Sequence, residues 1–189
     1  MGSRLSAASR QRLLAEAVVR VLAHGGFEAA TVRSVAAEAG VSAGAVQQQF
    51  ATKDALLLAG VRLMTTRFAE RTARIPAPAT PRELTRALLL HALPLDDERR
   101  EDALVWSALV DRAGRSPEVG AAVRAVDAEA LDGLTDVLGS AYVPGAARAA
   151  ALLLAVCDGL AARLTYDPDA VDAALGVIED ALDAVFSNT

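Results

Sequence analysis

A chain of 189 residues is long enough for one large or two small domains with a substantial core, and 53% of it is hydrophobic while only 4% is aromatic. The apolar bulk is therefore Ala, Leu and Val, the first two strong helix formers, and little material is left for sheets, so the expected fold class is all-α. A net charge of −5 excludes a uniformly basic nucleic-acid binder and leaves open one whose basic groups are gathered locally.

In chain order, the first predicted helix runs from about Ser9 to Ala23, with Leu13, Leu14, Ala17, Val18, Val21 and Leu22 on one face. Gly25-Gly26 is expected to end it. Thr31 is placed to cap a short second helix through Ala39, burying Val32, Val35, Ala36 and Ala39 before Gly40 breaks it. Ser42 caps a third short helix through Gln49, anchored by Val41, Val46 and Phe50. Thr52 caps a long fourth helix to about Arg74, stopped by Ile75-Pro76-Ala77-Pro78.

Thr80-Pro81-Arg82-Glu83 is a capping box with proline at the first helical position, starting a fifth helix to about Leu93. Asp96 begins a sixth to about Gly114, and Ser116-Pro117-Glu118 a seventh to about Leu138. After a turn at Tyr142-Val143-Pro144-Gly145, an eighth helix reaches Tyr166, and Asp167-Pro168 starts a ninth that ends near Phe186. In the ninth, Val171, Leu175, Ile178, Leu182 and Val185 are spaced 4-3-4-3, and the eighth carries a similar stripe of Leu153, Val156, Leu160 and Leu164. Such stripes suit either the chain's own core or a four-helix interface between two copies.

Residues 31–50 have the layout of a helix-turn-helix: a two-turn helix, a glycine-containing turn and a second short helix. Small residues at the start of that second helix (Ser42, Ala43, Gly44, Ala45) allow close approach to a duplex, and hydroxyls suit phosphate oxygens. Gln47-Gln48-Gln49 supplies amides that can both donate to and accept from base edges. Successive helical residues point about 100° apart, so the three glutamines cannot all face DNA, and Gln49 is expected to read bases least. Lys53, in the first turn of the next helix, suits a backbone phosphate. Charge agrees with this placement. Residues 1–75 hold ten Lys/Arg against five Asp/Glu, and the remainder nine against nineteen.

At these residues the chain resembles the TetR/AcrR family of transcriptional regulators over Arg12 to Val61. The matching residues are Gly26-Phe27, Thr31-Val32-Arg33, Val35 to Ser42, Gly44, Phe50 and Thr52-Lys53-Asp54-Ala55-Leu56-Leu57. Asp158-Gly159-Leu160 and Asp167-Pro168-Asp169 are similar to members with a betaine-regulator-like C-terminal domain. Where the family usually carries threonine, an aromatic, and an aromatic or histidine, this chain has Ala45, Gln47 and Gln48, so its site preference cannot be borrowed from relatives.

The resemblance implies a helix-turn-helix DNA-binding domain over residues 1–52 and a helical ligand-binding and dimerisation domain over 53–189. It implies Arg33 reaching a base or phosphate, Ala43, Gly44, Gln47 and Gln48 facing base edges, and Thr31, Ser42, Gln49 and Lys53 holding phosphates. It further implies an effector pocket, for which the available lining is Met64, Phe68, Leu88, His91, Trp106, Leu109, Val110, Val126, Leu153 and Cys157. Trp106 and His91 taken singly suit core packing as well as ligand contact.

The expected partners are double-stranded DNA, a small, mainly apolar effector and a second copy of the chain, as in a homodimeric repressor released from a palindromic operator. A helical carrier or interaction protein that has lost DNA binding is the other reading, prompted by the overall negative charge and by Gln47 in place of the family's usual aromatic, a tyrosine. An enzyme is not expected: His24 and His91 lie far apart, one cysteine gives no metal set, and no glycine-rich phosphate loop follows a strand. No cofactor is expected. A lone Cys157 in an apolar run fits a buried thiol in a reducing cytoplasm. The longest unbroken apolar run, Ala149 to Cys157, falls short of the ~20 residues of a membrane span. Met1 to Ser6 matches a myristoylation pattern, although no other feature points to a membrane.

Overall fold

The computed structural model describes residues 6–76 and 80–187, and among these the chain forms nine α-helices, one 3-10 turn and no strand. The N-terminal lipidation pattern and Ala77-Pro78 lie outside the described residues, apart from Ser6.

Helix α1 spans Ala7–Ala29 and is interrupted at Gly26, whose φ of 64° and ψ of −167° are not helical. The glycine pair therefore kinks the helix, which resumes for one turn instead of ending there. Gly25 is required for a different reason: a Cβ on it would sit 2.3 Å from the Ala29 Cβ. Helices α2 (Val32–Ala39), α3 (Ala43–Gln49) and α4 (Lys53–Thr72) begin where their caps predict. Thr31 and Ser34 form a reciprocal capping box, with Ser34 N–H donating to Thr31 Oγ1 at 3.1 Å and Thr31 N–H to Ser34 Oγ at 2.9 Å. Thr52 Oγ1 accepts from the Ala55 amide at 3.0 Å.

Helices α5 (Pro81–Ala92), α6 (Asp97–Ala113), α7 (Pro117–Ser140), α8 (Ala146–Tyr166) and α9 (Val171–Phe186) follow, with a 3-10 turn over Pro168–Ala170 delaying the start of α9. Helices α5, α6 and α7 too start on side-chain caps: Thr80 with Glu83, Asp96 accepting from the Arg99 amide at 2.8 Å, and Ser116 accepting from the Val119 amide at 3.3 Å, whereas α8 and α9 follow Gly145 and Ala170 without one. Each such cap satisfies amides that the first helical turn leaves unpaired.

Two compact units result. The first takes the chain up to Arg67 together with Leu104–Val123, and the second Phe68–Ala103 together with the chain from Arg124. The first buries Leu14, Val18, Leu22, Val35, Val46, Phe50, Leu56 and Leu57, so α1, α2, α3 and the start of α4 share one interior. The second is organised on α5, α7, α8 and α9, where Leu89, Leu93, Leu134, Leu138, Leu153, Cys157, Leu164, Ile178 and Leu182 form a continuous apolar cluster.

Burial of a leucine or isoleucine contributes about 1.5–3 kcal/mol, against about 0–1 kcal/mol for an exposed ion pair. Apolar contacts therefore hold α9 in place. Arg82, which meets Glu179 at 3.2 Å and Asp183 at 2.5 Å, and Arg86, which pairs with Glu179, fix its register on α5. Arg100 adds a further tie by donating to the Thr165 carbonyl at 2.7 Å and the Leu164 carbonyl at 3.4 Å, satisfying the end of α8.

Candidate DNA-reading surface and effector groove

Helix α2 braces α3 through the turn at Gly40, whose left-handed backbone (φ 64°, ψ 33°) lets the Val41 amide return to the Ala36 carbonyl at 3.0 Å. Arg20 on α1 pairs with Glu38 on α2 at 2.6 Å, tying the brace to the longer helix. On α3, Val46 and the following Phe50 point into the unit's interior, at 0% and 4% exposure. That leaves Ser42, Ala43, Gly44, Gln47, Gln48 and Gln49 exposed, with Ala45 half-buried. Positions 43, 44, 47 and 48 are related by steps of one and four, so they share a face of the helix.

Ser42 caps α3, its Oγ accepting from the Ala45 amide at 3.3 Å, and Thr31 caps α2. Both hydroxyls are thus engaged in the helix starts while the residues stay on the surface. Arg33 is exposed. A Cβ added at Gly44 would meet only the Ser42 Oγ, at 3.9 Å, and the backbone there is helical, so the protein's own packing does not require glycine.

Lys53 is half-buried and engaged. Its ammonium donates to Glu28 Oε2 at 3.1 Å and to the Glu28 carbonyl at 3.3 Å, and stands 4.1 Å from the centroid of the Phe27 ring. The Arg112 guanidinium lies 4.9 Å from the same ring and holds Asp54 through Nε at 3.0 Å and Nη2 at 3.2 Å. That fork holds the Asp54 carboxyl below the usual carboxylate range, against the opposing effect of burial. Lys53 lies in a recognisable sequence pattern, whereas no local pattern marks Glu28, Phe27 or Arg112 as its surroundings.

The expected effector residues divide between the two units. Met64, Trp106, Leu109 and Val110 belong to the first, where Leu109 is fully buried and Val110 is 51% exposed. Phe68, Leu88, His91, Val126, Leu153 and Cys157 belong to the second, where Leu153 and Cys157 are core and the other four half-buried.

Within the second unit a groove of about 340 Å³ is lined by Arg71, Arg74, Ile75, Pro76, Ala87 and His91, so of the expected set it takes His91 alone. Burial, with the charges of Arg99 and Arg71, pushes the His91 imidazole down despite Asp96 opposing, so the ring is neutral at pH 7. Arg71 is held by Glu98 at 2.9 Å and by the buried Asp102 at 3.1 Å. Arg71 Nε, Thr72 Oγ1, Thr85 Oγ1 and His91 Nδ1 are buried without a hydrogen-bond partner, and all four lie at the end of α4 or on α5. Cys157 Sγ lies 3.5 Å from the Leu89 carbonyl, and burial, reinforced by the charge of Asp158, pushes the thiol up to about 12.

Of the expected interface stripes, Leu153, Leu164, Ile178, Leu182 and Val185 face the chain's own core, joined by Ala174. They are closed to a second chain. Val156, Leu160, Val171 and Leu175 are half-buried, and Leu152 and Val177, outside both stripes, are 52% and 43% exposed. Helix α8 is also long and apolar enough, by length and composition, to cross a membrane, and only 22% of its most apolar window is buried.

Comparison with known proteins settles the family. A profile described as bacterial regulatory proteins of the tetR family matches residues 14–59, and one described as the C-terminal domain of BetI-type transcriptional repressors matches residues 81–187. The chain belongs to the TetR family of DNA-binding transcriptional regulators, with a BetI-type C-terminal domain.

The regulator BetI of Rhizobium meliloti is 30% identical over 182 residues, covering 93% of this chain and 88% of that protein. A transcriptional regulator of a Rhodococcus species shares the fold with a TM-score of 0.88 at 32% identity, over 94% of this chain and 96% of that one. A regulator of Saccharomonospora viridis, solved in complex with choline, has a TM-score of 0.81 at 22% identity over 92% and 95% of the two chains, a likeness of fold. The all-α architecture and the family expected from the residues are thus both found.

Proposed function

We propose that this TetR-family regulator is a homodimeric repressor that reads a palindromic operator through α3 and is released by a small, mainly apolar effector bound in its C-terminal helices. The observation that carries the DNA-reading part is the exposed face of α3: Ala43, Gly44, Gln47 and Gln48 stand outward while Val46 and Phe50 anchor the helix from behind. Gly44 supports it. Nothing inside the protein needs a glycine there, whereas a duplex approaching the start of the helix does. Gln47 and Gln48 then meet base edges, Arg33 a base or phosphate, and Thr31, Ser42, Gln49 and Lys53 phosphates.

The effector reading rests on the groove at His91 and on the unpaired Arg71 Nε and His91 Nδ1 of its lining residues, which a ligand with one polar end suits. Of the expected lining, Phe68, Leu88 and Val126, half-buried in the same unit as the groove, are the residues to probe by substitution. Choline, bound by the Saccharomonospora neighbour, belongs in the screen.

For the dimer, the uncovered faces of α8 and α9 at Leu152, Val156, Leu160, Val171, Leu175 and Val177 supply the surface. Arg148, Asp158 and Arg163 interrupt α8 with charge, which suits a protein partner better than lipid and supports a cytoplasmic regulator. The function is gene control without catalysis or cofactor.

Footprinting on the DNA flanking its own gene tests this reading, followed by a metabolite screen for release. A protected, two-fold symmetric site that one metabolite class abolishes supports it. Ligand binding without retardation of any of that DNA would point instead to a carrier.

A further inference from the structure

Glu28 is an acidic residue at the margin of a surface read as phosphate-binding, and no motif gives it a role there. Its carboxylate is 3.1 Å from Lys53 Nζ, its own carbonyl accepts from the same ammonium at 3.3 Å, and the Phe27 ring lies beneath at 4.1 Å. The cation is therefore held from three sides before any DNA arrives. The three contacts differ in strength of hold. Phe27 is fixed between Lys53 and Arg112, and the carbonyl belongs to the chain, but the Glu28 side chain is 89% exposed and can swing away. An exposed pair of this kind is weak and readily exchanged.

We propose that Glu28 is an affinity-setting residue of the DNA interface: Lys53 exchanges the Glu28 carboxylate for a backbone phosphate when the duplex docks. The ring and the carbonyl keep the ammonium in place through the exchange. Because the wild-type lysine must give up an anion to gain one, its net contribution to operator affinity is reduced. The proposal rests on reading Lys53 as a phosphate contact.

A double-mutant cycle on the full chain tests it. Operator binding is measured by fluorescence anisotropy over a salt series for wild type, Glu28→Gln, Lys53→Met and the double variant, with thermal midpoints confirming that all four fold. Glu28→Gln is expected to tighten binding by about two- to fivefold, the range of an exposed ion pair. The slope of log K against log salt should steepen by up to about 0.9, one phosphate's worth. In the Lys53→Met background the same change should have little effect, which is the signature of coupling.

Unchanged or weaker binding by Glu28→Gln overturns the proposal. So does tightening of equal size in both backgrounds, which reports general relief of repulsion. If the wild type binds its operator and the cycle shows no coupling, this inference alone falls. If the wild type binds no duplex, the reading of the surface falls with it.

Discussion

Asp54 and Arg112 join the first turn of α4 to α6 by a fork of two hydrogen bonds, at 3.0 and 3.2 Å. Because the folded-state carboxyl is depressed, the pair's contribution to stability is fully present above the unfolded aspartate value of about 3.9 and is lost as pH falls through the folded value. Asp54→Asn is therefore expected to lower the thermal midpoint at pH 7, with the gap to wild type closing as the pH falls below the unfolded aspartate value. A gap that persists undiminished at low pH would assign the loss to packing. Cys157 behaves oppositely. With its thiol pushed up to about 12 and its side chain in the core, it should react with a thiol reagent at pH 8 orders of magnitude more slowly than in urea. Equal rates would contradict its burial. At α3, Gln47→Ala and Gln48→Ala are expected to cost ~1–3 kcal/mol on operator DNA and little on unrelated sequence, whereas Lys53→Ala weakens all duplexes alike. The caps at Thr31, Ser42 and Thr80 were legible in the sequence because a cap is a local bargain among four residues. The Lys53–Glu28 pair spans 25 residues and depends on the kink at Gly26, so no local pattern announces it.

Among the elements, α3 is short, and its stability rests on Ser42 at one end and the buried Val46 and Phe50 beneath it. Gly44→Ala is expected to leave the thermal midpoint within about a degree or two or raise it slightly, since alanine favours helix by about 1 kcal/mol over glycine. Operator affinity should drop at least tenfold because the new methyl meets the duplex. Unchanged affinity would remove the reason offered for that glycine. Helix α9 shows where periodicity stops being informative. The 4-3-4-3 stripe correctly marks Ile178, Leu182 and Val185 as apolar seam, but Ala174 is buried at 3% while Val171 and Leu175 are only half-buried. An alanine has too little apolar surface to declare its side in sequence, and only the neighbouring helices decide. Ile178→Ala, at 0% exposure, should cost about 2–5 kcal/mol in denaturant unfolding. The effector lining was the least legible feature for a similar reason: a half-buried Met, Phe or Trp fills a core or a cavity equally well until helix packing is known.

For the whole molecule, the charge split placed the basic groups in the same half of the chain as the helix-turn-helix, and the apolar excess of α8 and α9 leaves Leu152 and Val177 exposed, the face proposed for a second copy. Leu152→Arg combined with Val177→Arg is expected to give a folded monomer at micromolar concentration by sedimentation. Operator affinity should fall steeply with it, because two heads on one palindrome bind as a unit. A dimer that survives both changes would place the interface elsewhere. Repression by this protein requires a phosphate-neutralising surface around α3 that also discriminates sequence. A salt titration of wild-type binding to its footprinted operator and to a scrambled duplex measures both properties together. The constant should fall linearly in log–log form by about 0.9 per phosphate contact, with the operator preferred by about 10³-fold or more. A constant indifferent to salt, or one equal for the two duplexes, would contradict it.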